Sequence, residues 1–117
     1  MTRQLSALLV ALALVMPFVM LRAEAPHAGA TAGVTWAEAR DLICTPDRVW
    51  DCDTALSVAW RESRFVATAY NPTCGCAGWF QIARVHGHSL STLFDPEANT
   101  EIAYRLWLTQ GWAPWRE

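Results

Sequence analysis

The stretch 53–66 reads DTALSVAWRESRFV and decides how the fold of this chain is interpreted. Its apolar residues recur at helical spacing, as in the pair Leu56 and Ala59, and Asp53 is a residue type that caps helices well. The stretch therefore predicts an amphipathic helix that begins at Asp53 and carries Glu62 in its last turns.

Glu62 is the only carboxylate between Asp53 and Asp95. On a helix its same-face neighbours, three or four residues away, are all apolar: Val58, Ala59, Phe65 and Val66. Arg61 and Arg64 project about 100° and 200° around the axis, so neither is expected to pair with it. An acid in such a setting keeps its proton to higher pH, as a general acid working near neutral pH must. The alternative is a solvated charge on a surface helix, the commonest setting for a Glu.

The first 25 residues have the pattern of a secretory signal peptide. A short basic start precedes an apolar run over residues 5–21, and Ala23-Glu24-Ala25 fits a cleavage site. An uncleaved membrane anchor through residues 5–21 is the alternative. Residues 26–34 are small and predict a flexible linker, and residues 35–117 form one small domain. Export to the periplasm, the cell envelope or the outside of the cell is expected either way.

Four cysteines lie in the exported part: Cys44, Cys52, Cys74 and Cys76. An even number in an oxidising compartment predicts two disulfides. We favour Cys44 with Cys52, which leaves Cys74 with Cys76, but pairings that cross between the two loops stay open. A zinc site is the competing interpretation. The spacing does not resemble two Cys-x-x-Cys pairs, so no metal is predicted.

Composition narrows the class of partner. All nine basic residues are Arg, and removal of residues 1–25 leaves seven Arg against ten Asp and Glu. A mildly acidic domain argues against nucleic acid but not against a sugar polymer. The seven Trp all follow residue 35. About five are expected in the core, with the others free to line a groove.

Two further helices have clear beginnings. Thr35 and Glu38 form a capping box that predicts a helix from Trp36 to about residue 43. Asp95-Pro96-Glu97 opens the clearest helix, which Gly111 should end. Residues 70–78 are turn formers, and 79–82 is a brief apolar run that suits a strand or the start of a short helix. The pattern is that of a mainly α protein.

Four strings in this order resemble the lysozyme-like superfamily, specifically the soluble lytic transglycosylase (SLT) type. They are Glu62-Ser63-Arg64-Phe65, Ala69-Tyr70-Asn71-Pro72, Gly78-Trp79-Phe80-Gln81-Ile82, and Asp95-Pro96-Glu97-Ala98-Asn99 followed by Ala103-Tyr104. The resemblance covers about residues 35–117. It implies a small lysozyme-like helical domain with a substrate cleft.

The resemblance also implies an activity and a set of site residues. The family cuts peptidoglycan between N-acetylmuramic acid and N-acetylglucosamine, with no metal or cofactor. Glu62 carries over as the catalytic group, and the residues expected to bind substrate or support the acid are Ser63, Asn71, Trp79, Phe80, Gln81 and Tyr104. Gln81 and Tyr104 would open onto the groove of Glu62, Gln81 to orient the sugar and Tyr104 to position the acid. Tyr104 as a half-buried packing residue is the alternative.

A single carboxylate in this region favours lytic transglycosylation, in which the sugar supplies its own nucleophile and a 1,6-anhydro product forms. A glycosidase that uses water usually needs a second carboxylate. The alternatives are a hydrolytic lysozyme with the same acid and an exported glycan-binding module without turnover. The expected partner is the peptidoglycan glycan strand, bound by a monomer. His86 and His88 have no third ligand nearby and are expected to be surface residues.

Overall fold

The computed structural model describes residues 33–116. Its helices are α1 (Trp36–Ile43), α2 (Cys52–Ser63), α3 (Leu90–Leu93) and α4 (Pro96–Gln110), with short 3-10 helices at Arg84–His86 and Ala113–Trp115. Strands β1 (Tyr70–Asn71), β2 (Cys76–Ala77) and β3 (Ile82–Ala83) lie between α2 and α3. The protein is therefore mainly α with one small sheet, as the helical patterns predict.

The predicted signal peptide or anchor, residues 1–25, lies outside the described residues, as does the predicted linker up to residue 32. Within residues 33–116, no helix has the length and apolar character needed to cross a membrane.

The start of α1 is as predicted, and the start of α2 is not. Thr35 Oγ1 accepts from the Glu38 amide at 3.2 Å, and a Glu38 carboxylate oxygen accepts from the Thr35 amide at 3.1 Å. The cap of α2 is Asp51, whose carboxylate accepts from the Thr54 amide at 2.9 Å. The prediction of Asp53 as the cap is wrong, because Asp53 already lies in the first turn. Asp51 has the extended backbone of a cap residue, which lets its carboxylate accept from the Thr54 amide. Asp53 has helical backbone and cannot cap the helix in this way.

The three strands form a small antiparallel sheet in the order β1-β2-β3. Tyr70 pairs with Ala77 in the first ladder, and Cys76 pairs with Ala83 in the second. The apolar run 79–82 is mostly turn, and β3 begins only at its last residue. The sheet positions the turn 78–81, whose Trp79 carbonyl contacts Ser63 at the end of α2.

Aromatic side chains fill much of the core. Three of the seven Trp are buried, namely Trp50, Trp79 and Trp115, so the expectation of about five was too high. Trp60, Trp107 and Trp112 are partly buried against the core, and Trp36 is 44% exposed. The Trp50 ring stacks on Trp112 with centroids 5.5 Å apart and planes 15° apart, and it also stacks on Phe80 at 5.5 Å. The loop before α2, the turn 78–81 and the segment after α4 thus meet at one indole.

Both disulfides follow the favoured pairing. Cys44–Cys52 joins the end of α1 to the start of α2, and Cys74–Cys76 lies between β1 and β2. No described cysteine is free. Two disulfides fit an oxidising, exported environment.

Candidate active site around Glu62

The end of α2 is a sharp turn held from inside the protein. Arg64 and Phe65 follow the helix with φ of 55° and 58°, a left-handed conformation that costs most side chains free energy. The buried Ser63 hydroxyl accepts from the Phe65 amide at 3.1 Å and lies 2.9 Å from the Trp79 carbonyl oxygen, to which it donates. This hydroxyl therefore fixes the helix end and ties it to the turn 78–81.

The Ser63 hydroxyl also lies 3.1 Å from the Ala59 carbonyl, so its one proton is shared between two acceptors. All its partners are backbone groups and it faces away from solvent. Of the two roles that the sequence left open, support of Glu62 fits this geometry, and contact with substrate does not.

Gly33 packs against the same turn. A Cβ at Gly33 would collide with the carbonyl oxygen of Arg64 and lie 2.9 Å from that of Phe65. The end of the predicted linker is therefore seated on the turn that follows Glu62, although its composition predicts flexibility.

The Glu62 side chain is 20% exposed and has a cationic partner. Arg61 Nη2 lies 3.0 Å from Glu62 Oε2, and the same nitrogen donates to the Trp115 carbonyl oxygen. The prediction that Arg61 would not pair with Glu62 is wrong. Its direction around the helix axis is unfavourable, but an Arg side chain is long enough to bend back over its neighbour. The expectation that Glu62 keeps its proton rested on the lack of a nearby cation, and that premise does not hold.

Trp79 and Phe80 are core residues, 1% and 0% exposed. The prediction that their side chains bind substrate is wrong for the structure as it stands, because rings with no free face cannot stack on a sugar. Phe65 packs on Trp79 with ring centroids 5.7 Å apart. The bulky Trp79 thus fills space beneath the end of α2, where the resemblance suggested a cleft wall.

Asn99 fixes the turn 78–81 from inside the core. The sequence named Asn99 only as part of the string Asp95-Pro96-Glu97-Ala98-Asn99 and did not indicate this role. Its fully buried side chain accepts from the Phe80 amide at 2.8 Å. It donates to the carbonyls of Ala77 and Leu93, each at 2.9 Å. A fully satisfied amide in the core fixes a backbone path strongly, since losing it would leave three polar groups unpaired.

Trp115 connects the two sides of the candidate site. Its indole donates to the Phe80 carbonyl at 2.8 Å, and its own carbonyl accepts from Arg61. The sequence indicated Trp115 only as one of the seven Trp, about five of which were expected in the core. Nothing local to Trp115 could have shown that it meets Arg61, because 54 positions separate the two.

Gln81 lies at the rim of a small cavity. With φ of 50°, it points its amide nitrogen at the carbonyls of Ala69 and Gly78, each at 3.1 Å. Its amide oxygen takes no part in these bonds. The cavity of about 130 Å³ is also lined by Trp115 and His86 among others.

Asn71 is exposed in β1, where its side-chain oxygen accepts from the Thr73 amide at 2.9 Å. Its placement leaves the predicted contact with substrate open.

Tyr104 contacts the loop before α2. Its hydroxyl accepts from the Val49 amide at 3.1 Å, and its ring stacks on Trp107 at 5.8 Å. Within residues 33–116 it forms no hydrogen bond with Glu62, and it is not among the residues that line the cavity at Gln81. The predicted role in positioning the acid is therefore not what the structure shows. The half-buried packing role fits, because the hydroxyl is used to hold the loop before α2.

A larger open depression of about 410 Å³ follows the outer face of α2 past Ser57 to Arg61. The Glu62 carboxylate is not among its lining groups, so this depression is not by itself the candidate site. Arg61 lines this depression and Trp115 lines the smaller cavity. A hydrogen bond joins these two residues, and Glu62 pairs with the same Arg61.

Among residues 33–116, no three His, Cys, Asp or Glu side chains are grouped so as to hold a metal ion. His86 is exposed and His88 is partly buried. Comparison of the chain with protein-family models, with curated proteins and with solved structures finds no match.

Proposed function

We propose that this protein is a lytic transglycosylase that cleaves the glycan strand of peptidoglycan, with Glu62 as its only acid and base. The observation that carries the proposal is the link made by Ser63. Its bond to the Trp79 carbonyl brings the string that contains Glu62 against the string that contains Gln81. Two of the four strings that carry the resemblance are therefore adjacent in space as well as ordered in sequence.

The proposed chemistry needs one carboxyl group. Protonated Glu62 gives its proton to the glycosidic oxygen as the bond from that oxygen to C1 of the muramic acid breaks. The resulting carboxylate then takes the proton of the muramic C6 hydroxyl, and O6 forms a bond to C1. The products are a strand with a free 4-hydroxyl and a strand that ends in a 1,6-anhydro ring, and Glu62 is protonated again.

Arg61 has a place in this scheme. Arg61 donates to Glu62 Oε2 in this structure, so it has to turn away for that oxygen to give a proton to the glycosidic oxygen. The Arg61 side chain is 46% exposed, which leaves it room to do so. It can pair with Glu62 again at the stage at which the carboxylate is formed.

The same ion pair favours a second candidate, an exported glycan-binding module without turnover. If Arg61 and Glu62 stay paired when glycan is bound, both Glu62 oxygens serve only as acceptors. A hydrolytic lysozyme is chemically close to the first candidate, but no contact among residues 33–116 favours it.

Digestion of purified peptidoglycan followed by mass spectrometry of the muropeptides tests the proposal. 1,6-Anhydro products are expected. Reducing-end products without the anhydro ring would indicate a hydrolase. Tight binding of the polymer with no products would support the binding module.

The setting belongs to the same proposal. The protein is exported to the cell envelope or beyond, by cleavage after residue 25 or with residues 5–21 as an anchor, and works as a monomer on glycan strands. The two disulfides support the exported setting.

A further inference from the structure

We propose that the Cys74–Cys76 disulfide is a site of reversible thiol–disulfide exchange that a small dithiol can open while the protein stays folded. The proposal concerns a bond that the proposed glycan chemistry does not use. It is independent of whether Glu62 cleaves glycan.

The two disulfides differ in access. Cys74 is exposed and Cys76 is partly buried, whereas both Cys44 and Cys52 are partly buried and pack against the core. Attack by a thiolate needs a path to one sulfur along the S–S axis, and exposed disulfides are the reducible ones in folded proteins. Cys74 offers that path at the surface of the turn.

The two disulfides also differ in the length of the chain loop that each one closes. Cys44 and Cys52 are eight positions apart, and Cys74 and Cys76 are two positions apart with Gly75 between them. A disulfide stabilises mainly by restricting the unfolded chain, and it does so less when the loop is short. Opening the Cys74–Cys76 bond therefore removes little of the stability that keeps the protein folded.

Backbone hydrogen bonds hold the region without the sulfur bond. The Gly78 amide donates to the Ala69 carbonyl, and the Arg84 amide donates to the Gly75 carbonyl, each at 2.9 Å. These bonds bracket the three-stranded sheet on both sides of β2. The sheet is thus expected to persist in the reduced protein, with new mobility confined to the turn 72–75.

The exchange balances without any further reactant. One thiolate of the dithiol attacks Cys74 Sγ, forms a mixed disulfide and releases Cys76 as a thiolate. The second thiolate of the dithiol then attacks the other sulfur of the same dithiol, which is bonded to Cys74, and releases Cys74 as a thiolate. The dithiol is oxidised by two electrons to a cyclic disulfide, the protein bond is reduced by two electrons, and the released thiolates take protons from water.

The released Cys76 thiol would face the rest of the protein. Cys76 lines the same cavity as Gln81 and His86. Reduction therefore places a thiol at the rim of the candidate site, and oxidation removes it.

The test uses the whole exported protein and dithiothreitol as the probe. Samples are taken during reduction under native conditions, alkylated with iodoacetamide and analysed by peptide mass spectrometry. Alkylation of Cys74 and Cys76 is expected to be at least about tenfold faster than that of Cys44 and Cys52. The melting temperature of the partly reduced protein should stay close to that of the oxidised protein.

The double variant Cys74→Ser/Cys76→Ser is the matched control. It should fold and should keep the slow reduction of Cys44–Cys52 unchanged. Equal rates for the two bonds, faster opening of Cys44–Cys52, or a double variant that does not fold would each overturn the proposal.

Discussion

The two ends of α2 are held in opposite ways. At its start, Asp51 caps the helix through Thr54, three positions on, and Cys52 is joined to Cys44, eight positions back. At its end, Ser63 is bonded to a carbonyl 16 positions away, and Arg61 to one 54 positions away. The start is built from neighbours in sequence and the end from parts that only the fold brings together. A region held by distant parts can be shaped for a function, but it depends on each of those parts.

The largest effect should follow from Gly78→Ala. Gly78 has φ of 83°, and a Cβ there would collide with the Leu93 carbonyl and the Asn99 amide. We expect the free energy of unfolding to fall by about 3 kcal/mol from strain and overpacking together, measured by chemical denaturation. Gly87→Ala is the control, because Gly87 has φ of 95° but open space where a Cβ would lie. It should lose only about 1 kcal/mol. Equal losses would mean that close packing of Gly78 against Leu93 and Asn99 does not hold the turn 78–81.

The next effect concerns activity. Glu62→Gln keeps the shape of the side chain and removes its proton, so glycan cleavage should fall by about a hundredfold or more. The melting temperature should change little, because Arg61, the described partner of this carboxylate, is about half exposed and such pairs stabilise weakly. Glu97→Gln changes an exposed Glu in the first turn of α4 and should leave cleavage intact. Cleavage by the Glu62→Gln protein at the wild-type rate would remove Glu62 from the mechanism.

The smallest effect belongs to the start of α2. Asp51→Ala should lower the melting temperature by about 4 °C at neutral pH, and Asp53→Ala by clearly less, since the pairing of Asp53 with Arg40 is exposed. Hydrogen bonds from the Thr54 side chain and amide hold the pKa of Asp51 below its ordinary value.

The sign of the pH dependence follows from that direction. The contribution of Asp51 is complete above its pKa in the unfolded chain and is lost as the pH falls through its lower pKa in the folded protein. Calorimetric scans of the wild-type and Asp51→Ala proteins should therefore converge in acid. A gap that widens in acid would contradict the capping role.

The same contrast shows what the sequence could reveal. Caps, the capping box at Thr35 and the helix begun by Asp95 depend on residues within one turn, so these helices could be predicted closely. The predicted cap of α2, Asp53, missed the observed cap, Asp51, by two positions, because an Asp at either position is a locally plausible cap. At the candidate site, Glu62 could be singled out because it is the only carboxylate between Asp53 and Asp95. Its pairing with Arg61 depends on the conformation of the Arg61 side chain, which the sequence does not specify. The roles of Asn99 and Trp115 depend on which backbone groups the fold places beside them. Tyr104 was misplaced for the same reason, since its partner Val49 is far away in sequence.

The stacked indoles of Trp50 and Trp112 have an optical consequence. Two indole rings 5.5 Å apart and nearly parallel share their electronic excitations, and further aromatic rings surround them. Such coupled transitions contribute to circular dichroism in the far ultraviolet, where helix content is usually read. An ellipticity spectrum of this protein would then report the contact between the loop before α2 and the segment after α4, in addition to its helices. Loss of the contribution from the coupled indoles would be a direct signal that the two segments have separated.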